Sequence, residues 1–347
     1  MARKSYLDLK KEVWEVNLCT GCGACVAVCP ADSIYFGDKE GSTHPCHNEY
    51  CKEESDHVLC GACVEVCPRA NISLHGDPLG TYRSAIQARA TFDIPASQSG
   101  GAVTAILKNA LDKGLLDAVI MVTEDPWTHR TSSALLASAE ELVRHAGSRY
   151  SLGSPLLAAL KEAVITHKYS RLGVVGLPCA VQAARRMKVS RHPLVKPFGN
   201  AIRLIIGLFC TESFDYRCLV QEKLTGELGI ASWEIRRFEV KGQLDLTLMD
   251  GTVKSIPLSE IEGCVRPGCI QCIDFAAADA DISAGSSGAK KGYTTLLISN
   301  EIGEGFYRSA LLSGLLEEGG EAEMAAVKRL AERKETRPRK RGRDSDR

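Results

Sequence analysis

No charge of one sign dominates this sequence. Its 43 lysines and arginines balance 43 aspartates and glutamates, so no global field points to nucleic acid or acidic substrates. Long apolar runs are missing too. LIIGLF at 204–209 is strand-sized, well short of the roughly 20 residues a membrane-spanning helix needs. The opening MARKSYLDLKKEVWEV lacks an apolar h-region, so a secretory signal is not expected and the chain reads as cytoplasmic. What remains is an ordinary globular composition, 44% hydrophobic over 347 residues, with material for two or three domains.

Cysteine is the exception to this plainness. There are 15, and nine of them fall between Cys19 and Cys67. Disulfides do not persist in a reducing compartment, so dense cysteine in such a chain points to metal. CTGCGACVAVCP sets Cys19, Cys22, Cys25 and Cys29 in the C-x2-C-x2-C-x3-C-P spacing of bacterial ferredoxins. Three closely spaced thiolates wrap one cube, and the fourth, next to proline, reaches the other. CGACVEVCP supplies the second copy with Cys60, Cys63 and Cys67. Crosswise pairing predicts one 4Fe–4S cluster on Cys19, Cys22, Cys25 and Cys67, and another on Cys29, Cys60 and Cys63. The spacing expects a cysteine at position 57, where His57 stands. An insertion carrying Cys46 and Cys51 lies upstream, and Cys51, the nearer, is the favoured fourth ligand over Cys46 and His57. Zinc or inert thiols are the alternative to iron–sulfur clusters.

Organisation follows. Residues 1–75 form a ferredoxin-like two-cluster domain, LHGDPLGTY at 74–82 a linker, 83–320 a larger domain, and 321–347 a charged helix and basic tail. From Arg83 helical and strand-like segments alternate, so the fold class is α+β, with the cluster module followed by a mixed α/β domain. GGAVTAILKNALDKG at 100–114 puts Val103, Ile106, Leu107, Ala110 and Leu111 on one helical face. Buried strands are expected at 117–123, 171–176 and 201–209, helices at LLAALKEAVITHK, from Cys179 and after Asp215, and a hairpin turned at Asp250-Gly251.

Three segments of the larger domain carry chemistry. SQSGGAVTAIL at 97–107 places small residues and paired glycines before a helix, where free N–H groups meet a phosphate or flavin. GVVGLPCAVQAA runs from strand to helix with Cys179 at the start, where the helix dipole favours a thiolate. RPGCIQCIDF joins a C-x2-C pair to the glycine-rich loop ADISAGSSGAKKGYTT. In this order, with LFC at 208–210 between them, they resemble the family of β subunits of coenzyme F420 hydrogenases and dehydrogenases, over most of residues 80–310. GLPCA stands where GTPCQ is commoner in that family, and Tyr293 where tryptophan is common.

The resemblance implies FAD, coenzyme F420 as substrate, and a third 4Fe–4S cluster on Cys179, Cys210, Cys269 and Cys272. Zinc on Cys264, Cys269 and Cys272 is the alternative, and Cys218 reads as a helix residue. Candidate flavin contacts are Ser97, Ser99, Gly100, Gly101 and Thr104, with Gly285, Ser286, Gly288 and Thr294 from the second glycine loop. Lys290 and Lys291 suit a cofactor phosphate, and Arg149 sits where the family often has a basic residue near the active site. A deazaflavin delivers a hydride and a cube takes single electrons, so FAD belongs between them as converter. The hydride step needs no acid–base group, and no catalytic residue is named. His129, His145, His167 and His192 read as surface groups.

The expected activity is oxidation of reduced F420, with electrons passed through three clusters to a membrane-bound respiratory complex that reduces quinone or phenazine, or to ferredoxin. Partner subunits would dock through the ferredoxin-like domain or the basic tail, placing the chain at the inner face of the membrane without a span of its own. The rival readings are the β subunit of an F420-reducing hydrogenase or formate dehydrogenase, and a non-enzymatic electron relay. A zinc-bearing nucleic-acid binder is suggested only by RPRKRGR, against the neutral charge.

Overall fold

A computed structural model of the chain describes residues 4–37, 44–70, 77–95, 97–152 and 156–337. In the N-terminal module, α1 (Ala24–Val28) and α2 (Ala62–Val66) are two copies of one short design. Each begins at a left-handed glycine, Gly23 at φ 77° and Gly61 at φ 68°, a conformation glycine adopts without steric cost. Each ends at an extended cysteine, Cys29 or Cys67, followed by proline. The doubled sequence motif is thus a doubled backbone motif, and the two helices pack against each other.

The larger domain is built on one eight-stranded mixed sheet. Its strands are β1 (Ser84–Ala90), β2 (Ala118–Glu124), β3 (Thr131–Leu136), β4 (Leu172–Gly176), β5 (Ile202–Leu208), β9 (Ile282–Gly285), β10 (Thr294–Ile298) and β11 (Leu316–Glu321). Between β5 and β9 a separate three-stranded meander, β6 (Ile235–Val240), β7 (Gln243–Leu248) and β8 (Val253–Pro257), forms its own small sheet. The large sheet runs β11-β1-β10-β9-β5-β4-β2-β3. The four strands β9, β5, β4 and β2 are mutually parallel, in register through Ala284↔Leu208, Val174↔Ile205 and Ile120↔Val174. Antiparallel strands extend both sides. β4 is buried along its whole length, as an internal parallel strand covered on both faces requires.

Helices cover both faces of the sheet. On one side α3 (Ala102–Asp112) packs with α5 (Glu301–Leu312). The face α3 buries includes Ile106, Leu107 and Ala110 as expected and adds Ala102, Ala105 and Asn109, while Val103 and Leu111 are only half-buried. Asn109 is drawn in by a bond from its Nδ2 to Ser309 Oγ at 2.9 Å, which satisfies a polar group the apolar periodicity could not predict. On the other side α4 (Pro178–Val189) shares one core with α1 and α2: Ala24, Ala27, Val28, Ala62 and Val66 belong to the same buried cluster as Cys179, Ala180, Ala183 and Ala184. The alanines let the helices approach closely. The cluster module therefore joins the core of the larger domain.

The hairpin at Asp250-Gly251 joins β7 to β8, with Gly251 at φ 88° and Asp250 Oδ1 accepting from Thr252 N–H at 2.8 Å. The helix expected after Asp215 is wound as a π-helix over Arg217–Glu227, and 162–166 of the LLAALKEAVITHK segment are π-helical as well. Cys218 and Cys264 form a disulfide with Cα atoms 5.2 Å apart. This pins the π-helix to the segment before Arg266 and removes Cys264 from a zinc set with Cys269 and Cys272. After β11 the chain forms α6 (Met324–Thr336), which buries Val327, Ala331 and Lys334 against the domain. From 338 on, the basic tail lies outside the described residues. Among the described residues no helix is long and apolar enough to cross a membrane.

Candidate metal centres and active site

The cysteines fall into three sets. Cys19, Cys22, Cys25 and Cys67 line one small cavity under Leu9, Val13 and Trp14. Cys29, Cys51, Cys60 and Cys63 line a second, beside Tyr6 and Ile34. Cys179, Cys210, Cys269 and Cys272 face one another closely enough that each thiol's charge acts on the others. Cys22 of the first set also faces Cys179, and Cys25 faces Cys63 of the second. The order in space is third set, first set, second set.

Backbone geometry explains the grouping. Amide N–H groups of Gly21, Ala24 and Ala62 donate to the sulfurs of Cys19, Cys22 and Cys60, the arrangement tight glycine-containing loops provide and clusters use. Cys51 stands in extended backbone just before the short helix Lys52–Ser55, turned into the second cavity. Cys46 lies on a two-residue strand with His47 and does not line that cavity, while His57 is exposed with φ 56°. In the third set, Cys179 follows β4 at the start of α4, and Cys210 follows β5. Both therefore stand at the carboxyl edge of the parallel strands, where open α/β sheets hold their ligands. Cys269 sits on the short helix Pro267–Ile270.

The electrostatics fit a metal cluster. Burial pushes the Cys19 and Cys179 thiols up to about 11 and the Cys22, Cys25, Cys63 and Cys210 thiols further. Four thiolates share such a cavity only when a bound metal cation offsets their charge. Cys272 differs. Burial raises it, yet Lys334 and Arg69 more than offset that and hold it below the ordinary thiol value. Among the described residues the Nε and Nη2 of Arg69 are buried without an acceptor, and cluster sulfides are acceptors. Glu53, buried, takes a hydrogen bond from Cys60 N–H at 2.5 Å, and Lys161 Nζ donates to Cys29 O.

The first glycine loop and Thr294 come together at the same edge of the sheet. Ser97 Oγ donates to Ser99 O at 2.5 Å, and the hydroxyls of Thr294 and Ser99 meet at 3.3 Å. Gly101, at φ 70°, precedes α3 with no side-chain cap, so the first N–H groups of that helix have no partner within it. Thr104 is half-buried on its first turn. This end suits the pyrophosphate of a dinucleotide. The glycines themselves also serve packing. A Cβ on Gly100 would lie 2.7 Å from Ala88 O and 2.8 Å from Tyr293 Cα, and one on Gly285 would meet the Phe209 ring at 2.2 Å.

Other candidates are spread more widely. Gly288 packs against Val327 and Glu323 of the C-terminal segment, and Ser286 O accepts from Ala289 N–H. Lys290 holds its ammonium 4.1 Å from the Tyr293 ring centre and donates to Gly319 O. Arg149 belongs to a different group, paired with Glu124 at 2.8 Å at the end of β2. His129 corrects the expectation of a surface group: it is 6% exposed, pairs with Glu124, and meets Ile235 O at 2.9 Å. His192 also has a partner, the carbonyl of Cys60. Sequence reasoning missed Arg69, Arg266 and Lys334. The two arginines stood two and three residues from ligand cysteines. Lys334 carried no signal in a stretch read as a charged helix.

Two family models match the larger domain: coenzyme F420 hydrogenase/dehydrogenase β subunit, N-term over residues 85–161 and C terminus over 169–323. A 4Fe–4S dicluster domain matches 18–76. A subunit of the F(420)H(2) dehydrogenase of Methanosarcina mazei is 31% identical, covering 85% of this chain and 83% of the relative. The chain belongs to the family of coenzyme F420 hydrogenase/dehydrogenase β subunits. Coenzyme F420 hydrogenase subunit beta of Methanosarcina barkeri is 32% identical, covering 70% of this chain and 83% of the relative. An uncharacterised protein of Methanocaldococcus jannaschii is 40% identical over 97% of this chain and 99% of its own length. In solved structures, a chain of the F420-reducing [NiFe] hydrogenase complex from Methanosarcina barkeri superposes with TM-score 0.70 at 27% identity, over 76% of this chain and 92% of that one. The family chemistry is F420-dependent oxidoreduction with iron–sulfur electron transfer.

Proposed function

We propose that this chain is the electron-input subunit of an F420H2 dehydrogenase, oxidising reduced F420 at a bound FAD and passing single electrons through three 4Fe–4S sites. The observation that carries this reading is the succession of four-cysteine sets from the carboxyl edge of the sheet to the half-exposed Cys51 and Cys60. When bound, the flavin supplies the conversion between a hydride and two single electrons. Ser97, Ser99, Thr294 and the start of α3 bind and orient its phosphate end at that edge. The inner set, Cys179, Cys210, Cys269 and Cys272, holds the cluster next to it. The second set, whose Cys51 and Cys60 are only partly covered, faces the partner that takes the electrons.

The similarity to the M. mazei dehydrogenase protein supports this over a bare relay, because it spans 85% of the chain and so extends beyond the larger domain. The alternative, a hydrogenase β subunit, is favoured by the M. barkeri relative and the solved hydrogenase chain. It shares the flavin end of the route and differs in the partner and the direction of flow. A membrane-bound partner complex reducing quinone or phenazine is part of the proposal for the dehydrogenase reading.

Anaerobically purified protein is expected to contain about twelve irons with matching sulfide and one FAD. Reduced F420 is expected to bleach that flavin, and NADH is not. Zinc without sulfide, or bleaching by NADH alone, would overturn the assignment.

A further inference from the structure

The inner cysteine set is ringed by buried or half-buried cations that hydride transfer does not need. Lys334, on α6, is 5% exposed. Its Nζ donates to Cys210 O at 2.6 Å and Asp274 O at 2.7 Å. These acceptors are neutral carbonyls, so the ammonium keeps its full charge, and that charge acts on Cys210, Cys272 and Cys269. Asp274 and Glu212 are acids on this face; the Asp274 carboxylate accepts from Gln182 Nε2 and Ala278 N–H, and Glu212 pairs with Arg337, whose other nitrogen donates to Cys269 O. Arg69, two residues past Cys67, lines the cavity of the first set with Cys19 and Cys67. Its Nε and Nη2 are buried with no acceptor among the described residues, and its charge reaches Cys272 and Cys179 of the inner set. Arg266, 3% exposed, lies over Gly21 and acts on Cys19 and Cys269. Lys334 thus faces one set, and the two arginines stand between two.

We propose that Lys334 and Arg69 set the reduction potential of the inner cluster, Lys334 on that site alone and Arg69 on that site and the first together. The proposal rests on the reading of Cys179, Cys210, Cys269 and Cys272 as a cluster site. A cube on four thiolates is anionic, and reducing it adds one electron and one negative charge while no atom moves. Fixed positive charge in a buried site favours the reduced form. The electron comes from the reduced flavin and leaves to the first N-terminal cluster. A raised inner potential lets it leave the flavin singly, and Arg69 keeps the next site matched to the first acceptor. The helix that carries Lys334 begins at Met324, past residue 323 where the family model ends.

The test is an EPR-monitored redox titration of anaerobic holoprotein, with iron counted in each sample. Lys334→Met is expected to keep about twelve irons, to lower the potential of one cluster signal, and to leave two unmoved. Lys334→Arg is expected to titrate as the wild type does, and Arg69→Gln to lower two signals. Unmoved potentials in iron-replete variants would overturn the proposal, as would a shift common to all three signals. If Lys334→Met loses the inner cluster, Arg69→Gln decides: two lowered potentials uphold the charge role, and unmoved signals or cluster loss there overturn it. About eight irons and no third signal in the wild type would instead overturn the cluster reading beneath it.

Discussion

Cys46 and Cys51 differ less in sequence than in where their backbones point. Cys51, in extended backbone ahead of a short helix, faces Cys29, Cys60 and Cys63, and Cys46 is held on a small strand away from them. Cys51→Ala is therefore expected to cost about four irons and the EPR signal of one N-terminal cluster, and Cys46→Ala neither. The reverse result would move the ligand to Cys46. Gly100→Ala is a second test at this scale. With Ala88 O and Tyr293 Cα within 2.8 Å of a new Cβ, thermal unfolding should show a loss of about 1–3 kcal/mol, and flavin content should drop. Unchanged stability and flavin would separate this glycine from both roles. The doubled cysteine motif was legible in the sequence because its spacing is itself the geometry of the loop. Lys334, Arg69 and Arg266 were not, because a cation drawn into the fold is spelled like a solvated one until the fold shows what surrounds it.

Among the elements, the parallel strands are what make an edge for chemistry. β4, β5 and β9 end together, so Cys179, Cys210 and Gly285 arrive at one side although more than a hundred residues separate the first from the last. Sequence periodicity foresaw the strands at 171–176 and 201–209 and the helix from Cys179. It could not foresee that α3 turns Asn109 inward, since that depends on Ser309 across a separation of 200 residues. The β6–β8 unit is joined to the route by the Cys218–Cys264 disulfide, two residues before Arg266. Alkylation of the unfolded, unreduced protein followed by peptide mass mapping should leave Cys218 and Cys264 unmodified and the cluster cysteines modified. Modification of both would mean that this pair stays reduced, and that the β6–β8 unit is held by its apolar core and by the bonds of His129 to Ile235 O and Gln98 to Phe238 O.

For the whole molecule, the shared core is the feature that ties the parts into one device. The alanines of α1 and α2 pack into the same buried cluster as α4, which brings the first cysteine set beside the third. Composition and spacing revealed two units, while their common core depends on small residues at faces that meet only after folding. The proposed input end lies at the carboxyl edge of the sheet, and the proposed output end at the half-exposed Cys51 and Cys60. The most direct test is rapid mixing of anaerobic Cys60→Ala holoprotein with reduced F420, following flavin absorbance beside steady-state reduction of a one-electron acceptor. Flavin bleaching at the wild-type rate with acceptor turnover reduced at least tenfold, a barrier increase of about 1.4 kcal/mol, is the predicted result; loss of bleaching with FAD still bound would contradict the proposed order of electron flow.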